Sequence, residues 1–335
     1  MQLSYSKHLT ITDLVNNSKF NIDQSRKDKI EINSLITHSH FDHIKNTNQK
    51  TFATKETIKL INSNISKNNF EFSNLQTNKT IDLTDNIKLT SLNSGHILGS
   101  SMFYLESKNN SLLYTGDLRT KDSILFKGAK PITADILIIE STFGKKEFKF
   151  EDCSLTYEKL ASQLEEDLEN GKLIILGGYS LGKAQELVKF CNKYLKQKPL
   201  VYENIFSNCK VYNEFEINLG DFEKMHHNLQ DNNILILPPS LINRNLIHSL
   251  EQQLNREISC YIATGWKYYK GFNTATISDH CDYYDLMDFV REVKPKKVFT
   301  IHGFSKELAK SIKDELKIDA RPIEEISSKN ILDFF

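Results

Sequence analysis

The chain has 335 residues, of which 39% are hydrophobic and 26% are charged, with 13 glycines and 6 prolines. This is the composition of an ordinary globular protein, and it excludes fibrous and extensively disordered classes. The length predicts about two domains. Because Lys plus Arg and Asp plus Glu both number 43, no net charge attracts the chain to nucleic acid or to membranes, and any polyanion site must be a local patch.

The longest aliphatic runs, at residues 173–176 and 234–237, are far too short to span a membrane. The polar first seven residues lack the apolar core of a signal peptide. The five cysteines form no Cys-x-x-Cys pair, so we expect reduced thiols. These features predict a cytoplasmic location without membrane association.

The first third of the chain alternates short apolar runs with turn residues, a pattern that predicts strands. The predicted strands of this part are residues 20–22, 32–37, 87–93, 102–105, 112–114 and 136–139. Helices are expected to be scarce here.

Beyond residue 140, helical and strand patterns alternate, which is typical of a parallel α/β unit. A helix is predicted over residues 154–170, and strands are predicted over residues 173–176, 200–202, 234–237 and 259–263. A helix entered at His280 and a strand over 298–301, which ends at His302, complete the pattern. The last fifteen residues are either a closing strand or a loose tail.

A Gly-rich turn over residues 177–183 separates the strand 173–176 from a further helix. Backbone N–H groups at a helix start, together with the ammonium of Lys183, can bind an anion such as a phosphate. By itself this is also a common structural turn.

Residues 37–43 read Thr-His-Ser-His-Phe-Asp-His and crowd three imidazoles and a carboxylate into a turn after a predicted strand. Such crowding is unfavourable unless a metal ion binds. Side chains two residues apart in extended backbone point the same way, so His38 and His40 can bind one ion while Asp42 and His43, past the bend, reach a second. The segment therefore predicts a metal site.

Two adjacent ions need a bridging carboxylate. Asp117 lies at the end of another predicted strand, where Gly116 allows a tight turn. His96 and His302 supply the remaining nitrogens. A single strand-end His or Asp is usually a hydrogen-bonded polar residue, but together with the segment 37–43 these residues predict a ligand set.

With these motifs the chain resembles the metallo-β-lactamase-fold hydrolases of the β-CASP nuclease branch. Asp23 matches the acidic residue that supports the metal loop. The other matching residues are His38, His40, Asp42 and His43 for the signature, His96 and Asp117 for the next two motifs, and Glu140, His280 and His302 for the motifs that separate this branch from β-lactamases and glyoxalases.

The resemblance implies an α/β fold, a metallo-β-lactamase αββα sandwich with an inserted α/β β-CASP cap domain. Residues 1–143 and 273–335 would form the sandwich. Residues 144–272 would form the cap, which closes a groove over the metals.

The resemblance also implies two Zn²⁺ ions, with Mn²⁺ as a second possibility. The implied ligands are His38, His40, His96 and Asp117 for one ion, and Asp42, His43, Asp117 and His302 for the other. Two such ions activate a bridging hydroxide for attack on a phosphodiester. The implied catalytic residues are Asp42, Glu140 and His280. Oriented by Glu140, His280 would protonate the leaving oxygen or stabilise the transition-state phosphate; the alternative is a His that only caps a helix.

For the substrate, the segment of Ser180, Gly182 and Lys183 resembles phosphate-binding segments of DNA-repair members, which are the Artemis group and the exonucleases encoded beside DNA ligases. The cap-domain segment of Trp266 and Lys267 resembles the same members. Trp266 and Lys267 offer a stacking face and an ammonium for a single strand, or else a core Trp beside a solvated Lys. The ligase-associated group fits best, and the 335 residues leave no room for the KH or C-terminal domains of RNA-cleaving relatives.

The prediction is therefore a zinc-dependent DNA exonuclease that acts on single strands or DNA ends in repair. An RNA-processing nuclease of the same fold is the alternative, because the segments around His96 and Lys183 equally resemble polyadenylation-factor nucleases. A hydrolase of thioesters or lactams and a non-catalytic metal-binding partner protein are less favoured. A functional association with a DNA ligase or helicase is implied by resemblance alone.

Overall fold

The computed structural model describes residues 1–5, 8–23, 32–44, 50–65, 70–226 and 229–325. They divide into two compact units. The first unit holds the described residues of Met1–Lys121, Lys127–Lys149 and His280–Phe335, and the second holds those of Asp122–Phe126 and Phe150–Asp279. The domain boundaries expected after residues 143 and 272 stay a prediction.

The strands are numbered in chain order. They are β1 (Gln2–Tyr5), β2 (Leu9–Thr12), β3 (Lys19–Ile22), β4 (Asn33–Leu35), β5 (Lys50–Thr54), β6 (Glu71–Leu75), β7 (Thr80–Asp82), β8 (Lys88–Asn93), β9 (Ser101–Glu106), β10 (Ser111–Tyr114), β11 (Ile136–Glu140), β12 (Leu173–Gly177), β13 (Leu200–Val201), β14 (Glu223–Lys224), β15 (Ile234–Leu237), β16 (Ile258–Ala263), β17 (Asn273–Ala275), β18 (Lys297–Ile301) and β19 (Asp319–Pro322).

The α-helices are α1 (Lys55–Asn64), α2 (Cys153–Glu169), α3 (Lys183–Phe190), α4 (Glu203–Glu214), α5 (Arg244–Leu254), α6 (Tyr283–Val293) and α7 (Ser305–Ser311). Helices α3 and α7 each continue into a π-helical turn, at Cys191–Leu195 and Ile312–Leu316, and a 3₁₀ turn at Ile323–Glu325 follows β19. No helix in these described ranges is long and apolar enough to cross a membrane.

Two sheets pack face to face in the first unit. One has the order β1-β2-β3-β4-β5-β6 and the other the order β19-β18-β11-β10-β9-β8-β7. Their inner faces share one buried apolar cluster, with Ile11 and Leu35 from the first sheet and Leu105 and Ile138 from the second. Burial of this apolar area is the main force that holds the sheets together.

Helices cover the outer faces of both sheets. Ile61 of α1 packs with Ile36 and Ala53 on the first sheet. Helices α6 and α7 pack through residues such as Leu286 and Leu308 on the second. The layers are therefore helix, sheet, sheet and helix, and the expected α/β sandwich class is confirmed.

Helix α6 begins just after His280. Asp282 caps its first turn by accepting a hydrogen bond from the backbone N–H of Asp285, which completes a capping box. Its apolar residues recur at intervals of three or four and include Leu286 and Val290, which are buried. It ends at Lys294, a left-handed residue before a proline. The predicted helix is thus confirmed, and its start fixes the backbone next to His280.

The second unit contains a parallel six-stranded sheet of order β14-β13-β15-β12-β16-β17. Its central strands are fully buried apolar runs, as is typical of parallel sheets covered on both faces. Because the strands are parallel, the loops that follow β12, β15 and β16 emerge at the same edge of the sheet.

Each strand predicted from the sequence is present, with ends that differ by at most two residues within the part of the chain that the structure covers. The described residues of the first third contain one helix, α1, in keeping with the expected scarcity of helices. Its position was not predicted, because its polar sequence conceals three buried positions, Thr57, Leu60 and Ile61. Strands β1, β2, β5, β6, β7, β14 and β17 were also not predicted. Of the last fifteen residues, expected to be a closing strand or a loose tail, Arg321 and Pro322 end strand β19, residues 323–325 form a 3₁₀ turn, and residues 326–335 lie outside the described residues.

Candidate metal centre

The loop that carries the His-rich motif, residues 36–44, is anchored by Asp23. The Asp23 carboxylate accepts hydrogen bonds from both the backbone N–H of Thr37, at 2.8 Å, and the Thr37 hydroxyl, at 2.7 Å. The Asp23 N–H in turn donates to the Leu35 carbonyl. Asp23, the residue predicted to support this loop, therefore holds Thr37 near the start of the loop, next to the ends of β3 and β4.

Four predicted ligands converge beside this loop. One ligand atom each from His38, His40, His96 and Asp117 lies within 4.8 Å of the other three. Nδ1 of His40 lies 3.0 Å from Nε2 of His38 and 3.2 Å from Nε2 of His96. Both of those Nε2 atoms lie 3.4 Å from Oδ2 of Asp117. Three imidazole nitrogens and one carboxylate oxygen therefore point at a single small volume.

Contacts on the far side of each ring orient it. The Thr37 hydroxyl donates to Asp23, so at 3.0 Å from Nδ1 of His38 it accepts a hydrogen bond from that ring. Nδ1 of His43 lies 3.1 Å from Oδ2 of Asp23, which is within ion-pair distance. Both rings are left with Nε2 toward Asp117. Metal-binding histidines have such partners on the nitrogen opposite the metal.

This donor set fits a divalent ion. Lone pairs on three nitrogens some 3 Å apart repel one another, and a cation among them removes that cost. Imidazole and carboxylate ligands suit Zn²⁺ and also Mn²⁺. We conclude that His38, His40, His96 and Asp117 form a candidate metal-binding cluster.

A second group lies on the other side of Asp117. Nε2 of His43 is 3.6 Å from Oδ1 of Asp117 and 3.7 Å from Oδ2 of Asp42. The His302 ring centroid is 5.6 Å from that of His43. The Asp42 side chain is 79% exposed and His302 is also exposed, so this group is more open than the first. The two oxygens of Asp117 thus face the two groups of predicted ligands.

The charges of the buried groups match this arrangement. Burial, with the nearby His43, holds the pKa of His38 well below its usual value, so the ring is neutral. Burial opposes ionisation of Asp117, but His43 and His38 outweigh it and hold the pKa of this carboxyl well below its usual range. Burial also opposes charge on His43, yet the carboxylates of Asp117 and Asp23 raise its pKa to about 10. A metal at Nε2 of His43 would replace that extra proton.

Glu140 and His280 form a pair next to the cluster. Nδ1 of His280 lies 2.9 Å from Oε1 of Glu140, and Nε2 of His280 lies 4.0 Å from Oδ2 of Asp117. The buried Glu140 carboxylate also accepts from the backbone N–H groups of Leu118, at 2.7 Å, and Thr142, at 3.2 Å. The end of β11 thereby holds the His280 ring with one nitrogen directed at the candidate site.

The predicted phosphate-binding residues lie in the second unit. Gly182 precedes α3 with φ of +89°, and the Ser180 carbonyl accepts hydrogen bonds from Gln185 and Asn208. The Lys183 side chain is only 2% exposed, and its ammonium lies 2.8 Å from Oδ1 of Asp279. This placement argues against the expected contact between Lys183 and a substrate phosphate, because the ammonium is buried and already paired.

Trp266 and Lys267 follow β16 in the same unit, and both are exposed. The alternative of a core Trp is therefore wrong. Their predicted role in binding substrate stays a prediction.

Two residues of the site carry no role in the sequence prediction. Thr37 links Asp23 to His38, as described above. The hydroxyl of Ser141 donates to the carbonyls of Ile301 and His302, at 2.9 and 2.6 Å, and so holds the strand end that carries His302. In the sequence, what points to these two residues is their position: Thr37 directly precedes His38, and Ser141 directly follows Glu140.

Comparison with known proteins agrees with this geometry. Residues 272–321 match the family model described as the Zn-dependent metallo-hydrolase RNA specificity domain. A "Probable DNA ligase" of Opitutus terrae is 29% identical over 296 residues, which is 84% of this chain and 28% of that protein. An "RNase J-like protein" of Methanocaldococcus jannaschii is 36% identical over 121 residues, 35% of this chain and 28% of that protein.

The matched segments thus span less than a third of the length of these two relatives. A solved structure shares the fold. The crystal structure of a protein of unknown function from Enterococcus faecalis aligns with a TM-score of 0.64 and 14% identity, over 92% of this chain and 95% of that one. The similarity to this structure shows the fold alone.

Proposed function

We propose that this chain, a member of the β-CASP branch of the metallo-β-lactamase-fold nucleases, hydrolyses phosphodiester bonds of DNA from a strand end with two bound Zn²⁺ ions. The observation that carries the proposal is the convergence of His38, His96 and Asp117 beside the Glu140–His280 pair. The cluster can bind a metal ion and the Glu140–His280 pair can act as a general acid, and phosphodiester hydrolysis uses both functions.

When bound, the ions supply Lewis-acid polarisation of the phosphate and lower the pKa of the attacking water. The protein's own part is to position and to protonate. The attacking water loses a proton to solvent as its oxygen bonds to phosphorus, and the P–O bond to the leaving strand breaks. The leaving oxygen takes a proton from Nε2 of His280, which then regains a proton from solvent. The Glu140 carboxylate at Nδ1 stabilises the charged ring before this transfer. Its two backbone N–H donors keep it in place.

The preference for DNA is supported by similarity. Most of this chain resembles one segment of a protein named a probable DNA ligase, and a ligase acts on strand ends. An end-trimming nuclease in DNA repair is the activity that this context favours, with a ligase or helicase as a functional partner. The cytoplasmic location expected from the sequence stays a prediction.

RNA processing is the second candidate, and a specific observation favours it. The family model over residues 272–321 is described as an RNA specificity domain, and one relative is named RNase J-like. The chemistry proposed for His280 is the same for either polymer. The two candidates therefore differ in substrate and share the site.

The test compares single-stranded DNA and RNA of one sequence, each labelled in turn at the 5′ and the 3′ end, with Zn²⁺- or Mn²⁺-loaded protein. Progressive shortening of DNA, faster than of RNA, is the expected result. Internal cleavage of RNA would reject the DNA exonuclease and favour the RNA-processing nuclease. A thioester substrate and a lactam complete the set, and turnover of either without nuclease activity would overturn the proposal.

Two variants tie any activity to the site. His280→Ala and Asp117→Asn should each lower cleavage by orders of magnitude, because they remove the proposed proton donor and the carboxylate shared by both ligand groups. The matched control is His248→Ala, since His248 is an exposed residue of α5. Activity retained in both site variants would point to a contaminating nuclease, and loss of activity in the control would point to misfolding.

A further inference from the structure

A small hairpin projects from the second unit between β16 and β17, at residues 264–272. Tyr269 and Phe272 form an antiparallel bridge, and the Phe272 N–H donates to the Tyr269 carbonyl at 3.0 Å. The two residues between them, Lys270 and Gly271, have φ of +49° and +76°. Positive φ at both central positions is the geometry of a type I′ turn, which suits a tight hairpin.

The hairpin divides its aromatic residues between inside and outside. Tyr269 and Phe272 are partly buried and pack against the apolar core of the second unit. Tyr268 is 89% exposed and Trp266 is 41% exposed. Tyr268 therefore presents nearly all of its side chain to solvent, on a hairpin whose neighbouring aromatic residues are anchored in the core.

The charge around these rings is positive. Residues 264–272 contain Lys267 and Lys270 and no acidic residue. A Cβ added to Gly271 would lie 3.6 Å from the guanidinium of Arg244, which places a third cation beside the turn. Exposed aromatic faces together with cations are the combination that binds single-stranded nucleic acid, with bases on the rings and phosphates on the cations.

The hairpin lies at the carboxyl edge of the parallel sheet, where open α/β sheets bind ligands. Strands β12 and β16 are paired in parallel, with Gly177 opposite Ile262, so the loop after β12 emerges beside it. Tyr179 of that loop is 56% exposed. Burial, with the nearby Tyr269, raises the pKa of Tyr179, in keeping with a third ring on the same edge.

We propose that this hairpin stacks a base of a single strand on Tyr268 and holds the adjacent phosphates with Lys267 and Lys270. The inference rests on the proposed function, because it gives the nuclease a second contact with the strand, in addition to the metal cluster. Bases in a duplex are already stacked on one another, so the site selects single strands. A duplex would contact only the cations.

The chain provides its own probe, since Trp266 is its only tryptophan. Full-length protein kept metal-free with a chelator is titrated with oligothymidylate, oligouridylate and a duplex of equal length. Indole emission should be quenched by both single strands and much less by the duplex. The single strand that binds with the higher affinity identifies the polymer that the hairpin prefers.

Variants assign the contacts. Tyr268→Ala should weaken single-strand binding by between about fivefold and a hundredfold, the range for loss of one base–aromatic stack, while Tyr268→Phe keeps the ring and the affinity. Lys267→Ala and Lys270→Ala should each lower the slope of log affinity against log salt by about 0.7. Lys193→Ala, at another exposed lysine of this unit, is the control and should leave the slope unchanged.

Equal affinity of the Tyr268→Ala variant and the unmodified protein overturns the inference, as does binding of duplex as tight as of single strand. These results are separate from cleavage. Quenching that depends on Tyr268 in a protein without nuclease activity supports the hairpin site and rejects the proposed function. If the Tyr268→Ala variant binds single strands and cleaves them as well as the unmodified protein does, the proposed function is supported and the hairpin site is rejected.

Discussion

Glu140 uses a single carboxylate oxygen, Oε1, to contact both the ring of His280, at 2.9 Å, and the backbone N–H of Leu118, at 2.7 Å. Leu118 directly follows Asp117, and its carbonyl accepts from the N–H of Cys281 at 2.7 Å. The segments that carry the central carboxylate and the proposed proton donor are therefore fixed to each other through one buried acid.

Replacement of Glu140 by Gln tests this link. The amide oxygen can still accept hydrogen bonds, but it carries no charge to stabilise a protonated His280. We expect kcat to fall by about ten- to a hundredfold, as for loss of other outer partners of a site, with metal content unchanged. Steady-state kinetics and elemental analysis measure the two quantities.

Glu151→Gln is the control for this variant, because Glu151 is an exposed glutamate paired only with Lys159 on the surface in the described structure. It should leave kcat and metal content as they are. An unchanged kcat for Glu140→Gln would remove the proposed electrostatic role and leave only a structural one.

Thr37 offers a second test, this time of metal affinity. Thr37→Val keeps the shape of the side chain but removes the hydroxyl that donates to Asp23 and accepts from His38. We expect about ten- to a hundredfold weaker Zn²⁺ binding, because the His38 ring loses the partner that sets its tautomer. Competition against a chromogenic chelator measures the affinity.

Thr37→Ser is the rescue for this variant, since it restores the hydroxyl. Its affinity should return to within a few-fold of the original. If Thr37→Val and Thr37→Ser lower the affinity for Zn²⁺ equally, the hydrogen bonds of Thr37 do not set that affinity, and the assigned role is wrong.

The residues of the candidate metal-binding cluster could be predicted from the sequence because they stand near strand ends in a recognisable spacing. Their orientation could not. The exposure of Asp42 depends on the turn after His40, and the link between His280 and Glu140 joins residues 140 positions apart. Thr37 has no pattern of its own, because a threonine before a turn is common and its two hydrogen bonds appear only once β3 and β4 pair.

The fold was predictable where apolar runs are continuous, as in β11, β12 and β15. It was missed where short polar strands gain their stability from neighbours. Strand β5 alternates little, yet four of its five residues are buried between β4 and β6 and under α1. Local sequence carries no record of such burial, because the partners come from elsewhere in the chain.

Asp117 should control metal content more strongly than any single histidine, because its two oxygens face both groups of ligands. We expect Asp117→Asn to lower the bound Zn²⁺ at both positions and His40→Ala to lower it at one. Elemental analysis after exhaustive dialysis gives the stoichiometry. A full metal complement in Asp117→Asn would exclude the shared-ligand role.

Metal binding should also stabilise the first unit, because a ligand that binds only the folded state raises its free energy of unfolding by about 2.7 kcal/mol at a hundredfold excess over Kd. The Tm of chelator-treated protein should therefore rise on addition of Zn²⁺. That of Asp117→Asn should rise much less, and that of the control His248→Ala should rise as in the unmodified protein.

The buried pair of Lys183 and Asp279 supplies the last prediction. Lys183→Met removes the cation of a buried ion pair with Asp279, so the free energy of unfolding should fall by about 3–5 kcal/mol. Lys183→Met combined with Asp279→Leu removes both charges and should recover much of that loss. Urea unfolding, followed by the emission of Trp266 in the same unit, measures the stability of both variants and of the unmodified protein.

The result also decides the role of Lys183. A Lys183→Met protein of unchanged stability that binds single-stranded DNA weakly would show that the ammonium leaves Asp279 for a phosphate, as the sequence alone suggested. A destabilised protein whose double variant recovers both stability and DNA binding would show that Lys183 acts only through its partner.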